Sequence, residues 1–175
     1  PWLLHGSRLM LHDLRRHRVM FALVVGVWAL ALIRLFAHHV PVLPLLFNWT
    51  PSLPYKVAFV DYRSGAIVRG DLVVYAFEGP AGLQAYHGLR HQALFKRVAG
   101  VAGDVVTVRG REVFVNGEPV GLAKTHTFDR RPLEPISPTV IPPGHVYVQG
   151  SSADSFDSRY RSSGLVRTAD IVARV

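Results

Sequence analysis

The sequence that decides the fold is Val113-Phe-Val-Asn116-Gly117-Glu-Pro-Val120. The apolar run Val-Phe-Val precedes an Asn-Gly pair, and Glu-Pro-Val follows it. Asn-Gly is the preferred pair for a two-residue type I′ turn, because both central positions require a positive φ. We therefore predict a β-hairpin centred on Asn116 and Gly117.

Runs of the same character occur on both sides of this hairpin. They are short, rich in β-branched and aromatic residues, and separated by Gly, Pro, Ser or Asn, and they comprise residues 57–60, 71–75, 104–108, 112–115 and 145–148. Short strands at this spacing are typical of an all-β barrel or sandwich. Residues 77–92 fit no pattern, and residues 121–140 are predicted to be an irregular insertion in the β-domain.

The N-terminal part of the chain has a different composition. Residues 1–18 contain four arginines and one acid, and residues 19–33 carry no charge. A helix needs about 20 apolar residues to span a bilayer, a length approached here if Arg34 extends to the interface. We predict an uncleaved transmembrane signal anchor at 19–38, in preference to a cleaved signal peptide or a buried soluble helix.

The position of the arginines gives an expected topology. Basic residues before an anchor favour a cytoplasmic N-terminus, so residues 1–18 are predicted to be cytoplasmic and the all-β domain at 39–175 periplasmic. The expected location is the bacterial inner membrane, crossed once. Residues 40–49 are apolar and aromatic, which suits the outer interface of the bilayer.

Composition excludes several classes of protein. The chain has no cysteine, which excludes disulfides, thiolate metal sites and a cysteine nucleophile. The net charge of +8 is compatible with nucleic acid or an anionic membrane. We favour the membrane and expect no nucleic-acid partner, because no block of five basic residues occurs.

Two pairs of histidines have spacings that a metal could use. They are His87 with His91 and the adjacent His38 and His39. Neither pair is accompanied by a carboxylate ligand pattern, so we interpret them as loop and interfacial histidines. We expect no metal site and no cofactor.

Ser52 and Lys96 form a candidate pair of nucleophile and base. Ser52 follows the apolar segment and lies between two prolines, and Lys96 lies in the apolar run 93–99. A serine hydroxyl needs a base, and a lysine is a base only when neutral. Burial among apolar groups lowers a lysine pKa from its ordinary value of about 10.4. The alternative is an edge lysine solvated beside Arg97.

Four segments together resemble the bacterial type I signal peptidases. Residues 96–106 resemble the lysine box of that family, and residues 50–54 resemble its serine box, with Thr50 in the first hydroxyl position. Residues 70–75 resemble the strand between these boxes, and residues 144–159 resemble the C-terminal box. The resemblance covers residues 15–175 and implies a membrane-anchored serine endopeptidase with a signal-peptidase-like β-domain.

The resemblance implies catalytic roles for three residues. Ser52 would attack the scissile carbonyl, and Lys96 would act as general base and then as general acid. The Ser52 backbone N–H and the Thr50 hydroxyl would be the oxyanion-hole donors.

The C-terminal box implies supporting roles. Ser155 matches the serine that orients the lysine, and Asp157 and Arg159 match a structural ion pair behind the site. Residues 151–153 read Ser-Ser-Ala where the family has Asp-Asn-Arg, and the interval to Ser155 is one residue shorter.

The serine box favours one branch of the family. Asn48 before the hydroxyl pair and Ser-x-Pro after it resemble the TraF-type peptidases of conjugative transfer systems. Those enzymes process pilin precursors, and some relatives join the pilin ends into a ring. Cyclising relatives tend to carry glycine at the position of Lys56, so the residues leave hydrolysis and cyclisation both open. The alternatives are a general type I signal peptidase and a non-catalytic, membrane-tethered component of a secretion machine.

An exported, membrane-associated precursor protein is therefore the expected partner, together with the lipid bilayer. A β-domain with an open strand edge accepts an extended peptide by strand addition. The residues predicted to contact substrate are Leu53, Pro54, Val57, Val73 and Phe95.

Overall fold

The computed structural model describes residues 17–36, 44–50, 52–62, 65–79 and 87–175. The predictions for residues 1–16, for the pair His38 and His39, and for part of the segment 77–92 lie outside the described residues. The chain divides into two units, residues 1–39 and 40–175. Each unit is described by itself.

The first unit contains one helix, α1, which runs from Arg18 to Phe36. Its large apolar side chains between Val19 and Ile33 are mostly exposed. The predicted helix is thus confirmed. Within the described part of the chain, however, no helix combines the length and the apolar character needed to cross a membrane. The predicted membrane crossing at 19–38 is therefore not confirmed.

The described part of the second unit is mostly β, as predicted. Its strands are β1 (Leu45–Phe47), β2 (Val57–Phe59), β3 (Leu72–Ala76), β4 (Ala93–Gly100), β5 (Val105–Arg109), β6 (Glu112–Val115), β7 (Glu118–Leu122), β8 (Thr139–Val140), β9 (His145–Gln149), β10 (Val166–Arg167) and β11 (Ile171–Arg174). Two short 3₁₀ helices, His87–Leu89 and Thr168–Asp170, complete the regular structure.

The strands form three sheets with antiparallel pairing. β1 and β2 make a two-stranded ribbon, a five-stranded sheet has the order β10-β9-β4-β3-β11, and a four-stranded sheet has the order β7-β6-β5-β8. The ribbon continues into the edge of the five-stranded sheet, because Asp61 and Arg174 exchange main-chain hydrogen bonds of 2.7 and 2.9 Å. This connection places the loop between β1 and β2 beside the five-stranded sheet.

Alternation along β3 and β4 gives the five-stranded sheet two apolar faces. Val74 and Phe95 are cross-strand partners on the face covered by the ribbon, where they pack with Leu46, Leu53, Ala58, Val60 and Ala173. The opposite face carries a second cluster made by Val73, Tyr75, Phe77, Val98, Val146, Val148 and Val166. Side chains of successive strand residues point to opposite faces. Lys96 therefore lies on the face of the second cluster.

The predicted hairpin is confirmed in the four-stranded sheet. Val115 pairs with Glu118, which leaves Asn116 and Gly117 as a two-residue turn. Their φ angles are 52° and 84°, as a type I′ turn requires. Val106, Val113 and Val115 anchor the core of this sheet, which residues Ala123, Leu133, Ile136, Ile141, Tyr147 and Tyr160 complete.

Residues 121–140 are irregular apart from the end of β7 and the short strand β8. The Arg111 guanidinium donates to the carbonyl oxygens of Ala123, Lys124 and Leu133. The half-buried Arg111 guanidinium thus supplies hydrogen bonds to main-chain carbonyls that have no strand partner in this irregular segment.

Candidate active site

Ser52 lies in the loop that joins the two strands of the ribbon. The base of this loop is closed by a 2.8 Å hydrogen bond from the Asn48 N–H to the Lys56 carbonyl. Ser52 is 9% exposed, and the next residue, Leu53, is buried in the cluster under the ribbon. Burial of Leu53 thus anchors the loop, and Ser52 beside it is also buried.

Thr50 supplies a second hydroxyl next to Ser52. Thr50 Oγ1 and Ser52 Oγ are 3.1 Å apart and hydrogen bonded, and the Thr50 side chain is exposed. The structure therefore brings together the two hydroxyls that the sequence predicts for the nucleophile and the oxyanion hole.

Lys96 is buried in the middle of β4 with 3% exposure. Its cross-strand partner on β3 is Val73, and Val98 lies two residues along on the same face. Burial lowers the pKa of Lys96 to about 8, although the nearby Asp157 carboxylate opposes this shift and the Arg159 guanidinium adds to it. At pH 7 about a tenth of Lys96 is thus in the neutral form that accepts a proton, and this fraction rises to about half at pH 8.

The segment that follows β9 connects the serine loop to the lysine strand. Gln149 pairs with Arg97, the neighbour of Lys96. Two residues later, the Ser151 N–H donates to the Ser52 carbonyl at 2.8 Å, and the Ser151 hydroxyl lies 3.3 Å from the same oxygen. The main chain at Ser52 is thus tied to the strand next to the one that carries Lys96.

Gly150 lies at the centre of this junction. A Cβ atom at this position would lie 2.1 Å from Ser155 Oγ and 2.7 Å from the Ser52 carbonyl oxygen. Contacts below 3.0 Å are too short for any side chain, so only glycine allows Ser155 and Ser52 to approach from both sides.

Asp157 and Arg159 form a buried ion pair, as predicted for this position. The Asp157 carboxylate accepts from Arg159 Nε at 2.8 Å and from the Gly150 N–H at 2.9 Å. The Arg159 guanidinium also donates to the carbonyls of Ser152 and Ser155, at 3.0 and 3.1 Å. The pair therefore closes the shortened loop 150–155, which has Ser-Ser-Ala in place of the family residues.

Ser155 is buried at 3% exposure on the same segment. Its hydroxyl has no hydrogen-bond partner among the described residues. The expected hydrogen bond from Ser155 to Lys96 is therefore not formed in the structure. An unpartnered hydroxyl at this depth is nevertheless unusual, because buried polar atoms normally find a partner.

The five residues predicted to contact substrate do not lie on one surface. Leu53 and Phe95 are buried together under the ribbon, whereas Val73 is fully buried on the other face of the sheet. Val57 and Pro54 are exposed. Their role in substrate binding stays a prediction.

The sequence predicts no structural role for three residues at the site. Asn48 marks only one branch of the family, and Gly150 and Ser151 belong only to the C-terminal box. An Asn two residues before a hydroxyl residue favours an Asx turn, so the sequence did contain a signal for Asn48. The contacts of Gly150 and Ser151 join positions about 100 residues apart and have no local signal.

Within the described residues, no three His, Asp or Glu side chains lie close enough to hold a metal ion. The site thus contains a serine next to a second hydroxyl, and a buried lysine of lowered pKa lies in the same β-domain. These are the two kinds of group that a serine hydrolase with a lysine base uses.

Comparison with known proteins places the chain in a family. The family described as signal peptidase, peptidase S26, matches residues 15–175. The chain therefore belongs to this family of serine endopeptidases.

Similar proteins include a conjugal transfer protein and signal peptidases. The conjugal transfer protein TraF of Agrobacterium fabrum is 32% identical over 125 residues, which are 65% of this chain and 70% of TraF. Signal peptidase IB of Staphylococcus aureus is 31% identical over 135 residues, which are 68% of this chain and 64% of the relative. The chain thus spans slightly less than two thirds of the length of signal peptidase IB.

A solved structure is also similar to the chain. A signal peptidase I from Enterococcus faecalis V583 aligns with 19% identity and a TM-score of 0.40, covering 65% of this chain and 99% of that one.

Proposed function

We propose that this protein is a Ser/Lys-dyad endopeptidase that processes an exported precursor protein. The observation that carries the proposal is Lys96, a buried lysine in a β-strand whose pKa is lowered to about 8. A charged side chain is almost never buried without a functional or pairing reason. The segment after β9 supports the proposal, because it ties Ser52 to the neighbourhood of this lysine.

The proposed reaction has two halves. Lys96 Nζ removes the proton from Ser52 Oγ, which attacks the scissile carbonyl carbon. The C–N bond then breaks, and Lys96 gives the proton to the leaving amine, so an acyl-enzyme and a free amine are formed. Lys96 Nζ then removes a proton from a water molecule, which attacks the acyl carbon. The ester C–O bond to Ser52 breaks, and Lys96 returns the proton to Ser52 Oγ, which releases the acid product.

The oxyanion of each tetrahedral intermediate needs fixed donors. The Ser52 N–H and the Thr50 hydroxyl are proposed for this role, and Thr50 Oγ1 is only 3.1 Å from Ser52 Oγ. Removal of one such donor lowers kcat by about 10²- to 10³-fold in a serine hydrolase. Ser155 is proposed to turn its free hydroxyl toward Lys96 and orient the amine.

The substrate is proposed to be a conjugative pilin or a similar precursor. The similarity to the conjugal transfer protein TraF supports this choice, as does the Asn48-Trp-Thr-Pro-Ser52 sequence. The similarity to signal peptidase IB favours a second candidate, general removal of signal peptides. Attack on the acyl-enzyme by water gives a linear product, whereas attack by the substrate's own amine gives a ring.

Membrane attachment is also proposed. The α1 helix exposes apolar side chains all round. The outer face of the ribbon exposes Phe47 and Phe59 at 57 and 78%, and the ribbon loop exposes Trp49 at 91%. Large exposed apolar patches mark protein or membrane contacts. We propose that the protein is held at the cytoplasmic membrane of a bacterium with its β-domain in the periplasm.

Cleavage in detergent tests the dyad. The probe is a precursor peptide with an apolar segment followed by an Ala-x-Ala site. Ser52→Ala and Lys96→Ala are each expected to lower kcat at least about 10³-fold with the fold retained. The wild-type kcat/KM is expected to rise with pH up to about 8, where neutral Lys96 becomes the major form.

Two matched variants control for nonspecific damage. Ser163→Ala removes another buried, unpartnered serine hydroxyl, and Lys124→Ala removes an exposed lysine. Both are expected to keep full activity. Full activity of Lys96→Ala would instead exclude the dyad. Intact-mass analysis of the product separates hydrolysis from cyclisation, since the ring is one water lighter than the trimmed linear chain.

A further inference from the structure

The Asn48 side chain makes four hydrogen bonds inside the loop that carries Ser52. Asn48 Oδ1 accepts from the Thr50 N–H at 3.1 Å and from the Thr50 hydroxyl at 2.8 Å. Asn48 Nδ2 donates to the Tyr55 carbonyl at 2.9 Å and to the Leu53 carbonyl at 3.3 Å. A single carboxamide therefore links the two sides of the loop across Ser52.

The partners fix the orientation of this amide. A main-chain N–H only donates and a main-chain carbonyl only accepts, so the amide oxygen faces Thr50 and the amide nitrogen faces Leu53 and Tyr55. A carboxylate at this position has no proton to donate to those carbonyls. The position thus requires a short side chain that accepts on one side and donates on the other, which is asparagine.

Asn48 also controls the Thr50 proton. The Thr50 hydroxyl carries one hydrogen but has two acceptors nearby, Asn48 Oδ1 at 2.8 Å and Ser52 Oγ at 3.1 Å. An oxyanion formed on a bound substrate is a stronger acceptor than either, because it is charged. The Thr50 hydroxyl can therefore turn from Asn48 to the oxyanion while the Thr50 main chain stays held by the N–H bond.

We propose that Asn48 is a positioning residue, which holds the Thr50 hydroxyl and the Ser52 main chain in the geometry that the oxyanion step needs. This inference rests on the proposed function and adds a residue to it. The Asn48 side chain bonds to residues of the loop itself. The Ser151 N–H, which belongs to the segment after β9, bonds to the Ser52 carbonyl. Asn48 acts through Thr50 and Ser52 and contacts no reacting atom.

The first test compares the two asparagines of the chain. Asn48→Ala is expected to lower kcat about 10- to 100-fold and to leave KM within about twofold, because a displaced oxyanion donor affects the transition state more than binding. The matched control is Asn116→Gly, which removes the amide from the β6–β7 turn without straining its positive φ. This control is expected to keep the wild-type kcat.

Two further variants separate positioning from general damage to the loop. Asn48→Asp keeps an acceptor for Thr50 but loses both donors and adds a negative charge near the oxyanion, so it is expected to be no more active than Asn48→Ala. In the double variant with Thr50→Val, the loss is expected to be smaller than the product of the two single losses, since Asn48 acts through Thr50. The pH midpoint of kcat/KM is expected to stay at its wild-type value in all of them.

Hydrogen exchange of the peptide covering residues 47–57 gives a readout that does not depend on cleavage. Loss of the Asn48 side chain is expected to speed exchange at Thr50 about tenfold. Unchanged kcat, or unchanged exchange in a folded Asn48→Ala protein, would overturn the inference. If the wild-type enzyme cleaves no precursor, the proposed function is wrong. The hydrogen-exchange rate at Thr50 then decides by itself whether the Asn48 side chain stabilises the loop.

Discussion

The five-stranded and the four-stranded sheets differ in what they bury. The buried polar and charged side chains among the described residues are Ser52, Lys96, Ser155, Asp157, Ser158, Arg159 and Ser163. They lie in β4 or in loops next to the five-stranded sheet, and none belongs to β5–β8. The four-stranded sheet instead buries valines around a tight turn.

This difference separates the sheet that carries the chemistry from the sheet that carries stability. Burial of an ion or of an unpartnered hydroxyl costs free energy, whereas burial of a valine contributes it. An enzyme needs buried ions and unpartnered hydroxyls only where they take part in the reaction. We therefore expect substitutions near the five-stranded sheet to change activity most, and substitutions in the four-stranded sheet to change stability alone.

The largest expected effect comes from Lys96→Met. Methionine fits the apolar surroundings of Lys96 but accepts no proton, so kcat is expected to fall at least about 10³-fold. At pH 7 the free energy of unfolding is expected to rise, by an amount on the order of 2–3 kcal/mol, because the buried charge is removed. Cleavage assays and denaturant melts measure both effects. Arg97→Met, on the exposed neighbour, controls for the change in net charge.

The sign of the pH dependence follows from linkage. The folded pKa of Lys96 is about 8, below its value of 10.5 in the unfolded chain. Between these values the unfolded chain binds more protons, so the wild-type protein gains stability as the pH rises from about 8 to 10.5. The advantage of Lys96→Met should therefore shrink over this range. A constant difference between the two proteins would contradict the lowered pKa.

Two glycines offer a direct test of the comparison. A Cβ at Gly150 would lie 2.6 Å from Ser155 Cβ and 2.7 Å from the Ser52 main chain, whereas a Cβ at Gly100 would meet the flexible end of Ile141 at 2.7 Å. Gly150→Ala is expected to lower kcat about 100-fold, because it displaces Ser52 and Ser155.

Gly100 is the last residue of β4 in the five-stranded sheet, but its Cβ would enter the core of the four-stranded sheet. Gly100→Ala is expected to lower the free energy of unfolding by about 1–3 kcal/mol with kcat within about threefold, because it overpacks that core. Parallel cleavage assays and thermal melts compare the two variants. Equal losses of activity in both would remove the functional distinction between the site and the core of the four-stranded sheet.

The sequence was most informative where structure is encoded locally. The hairpin at Asn116 and Gly117 follows from two adjacent residues, and the strands follow from short β-branched runs. Strands β8, β10 and β11 were not recognised, because two to four residues contain too little of a pattern. Strand β1 was hidden inside an apolar segment that suited a membrane interface equally well.

The site was predictable in its residue types but not in its connections. The positions of Ser52 and Lys96 follow from resemblance to a family, and the burial of Lys96 agrees with the apolar run around it. The contact of Gly150 with Ser155 and Ser52 depends on the folding of distant segments, which no local pattern records. The membrane crossing at 19–38 is predicted from the length of the apolar run, its apolar character on all faces and the charge on one side of it, and it is not confirmed in the described part of the chain.

The smallest expected effect is that of Gly117→Ala in the β6–β7 turn. Gly117 has a φ of 84°, a conformation that strains any residue with a Cβ, although open space surrounds the position. We expect a loss of about 1 kcal/mol in the free energy of unfolding, from backbone strain and not from a clash. Cleavage activity is expected to equal that of the wild-type enzyme, since no buried polar group lies in this hairpin. A fall in kcat larger than about threefold in the folded variant would show that the four-stranded sheet also shapes the site, and the separation of chemistry from stability would then be wrong.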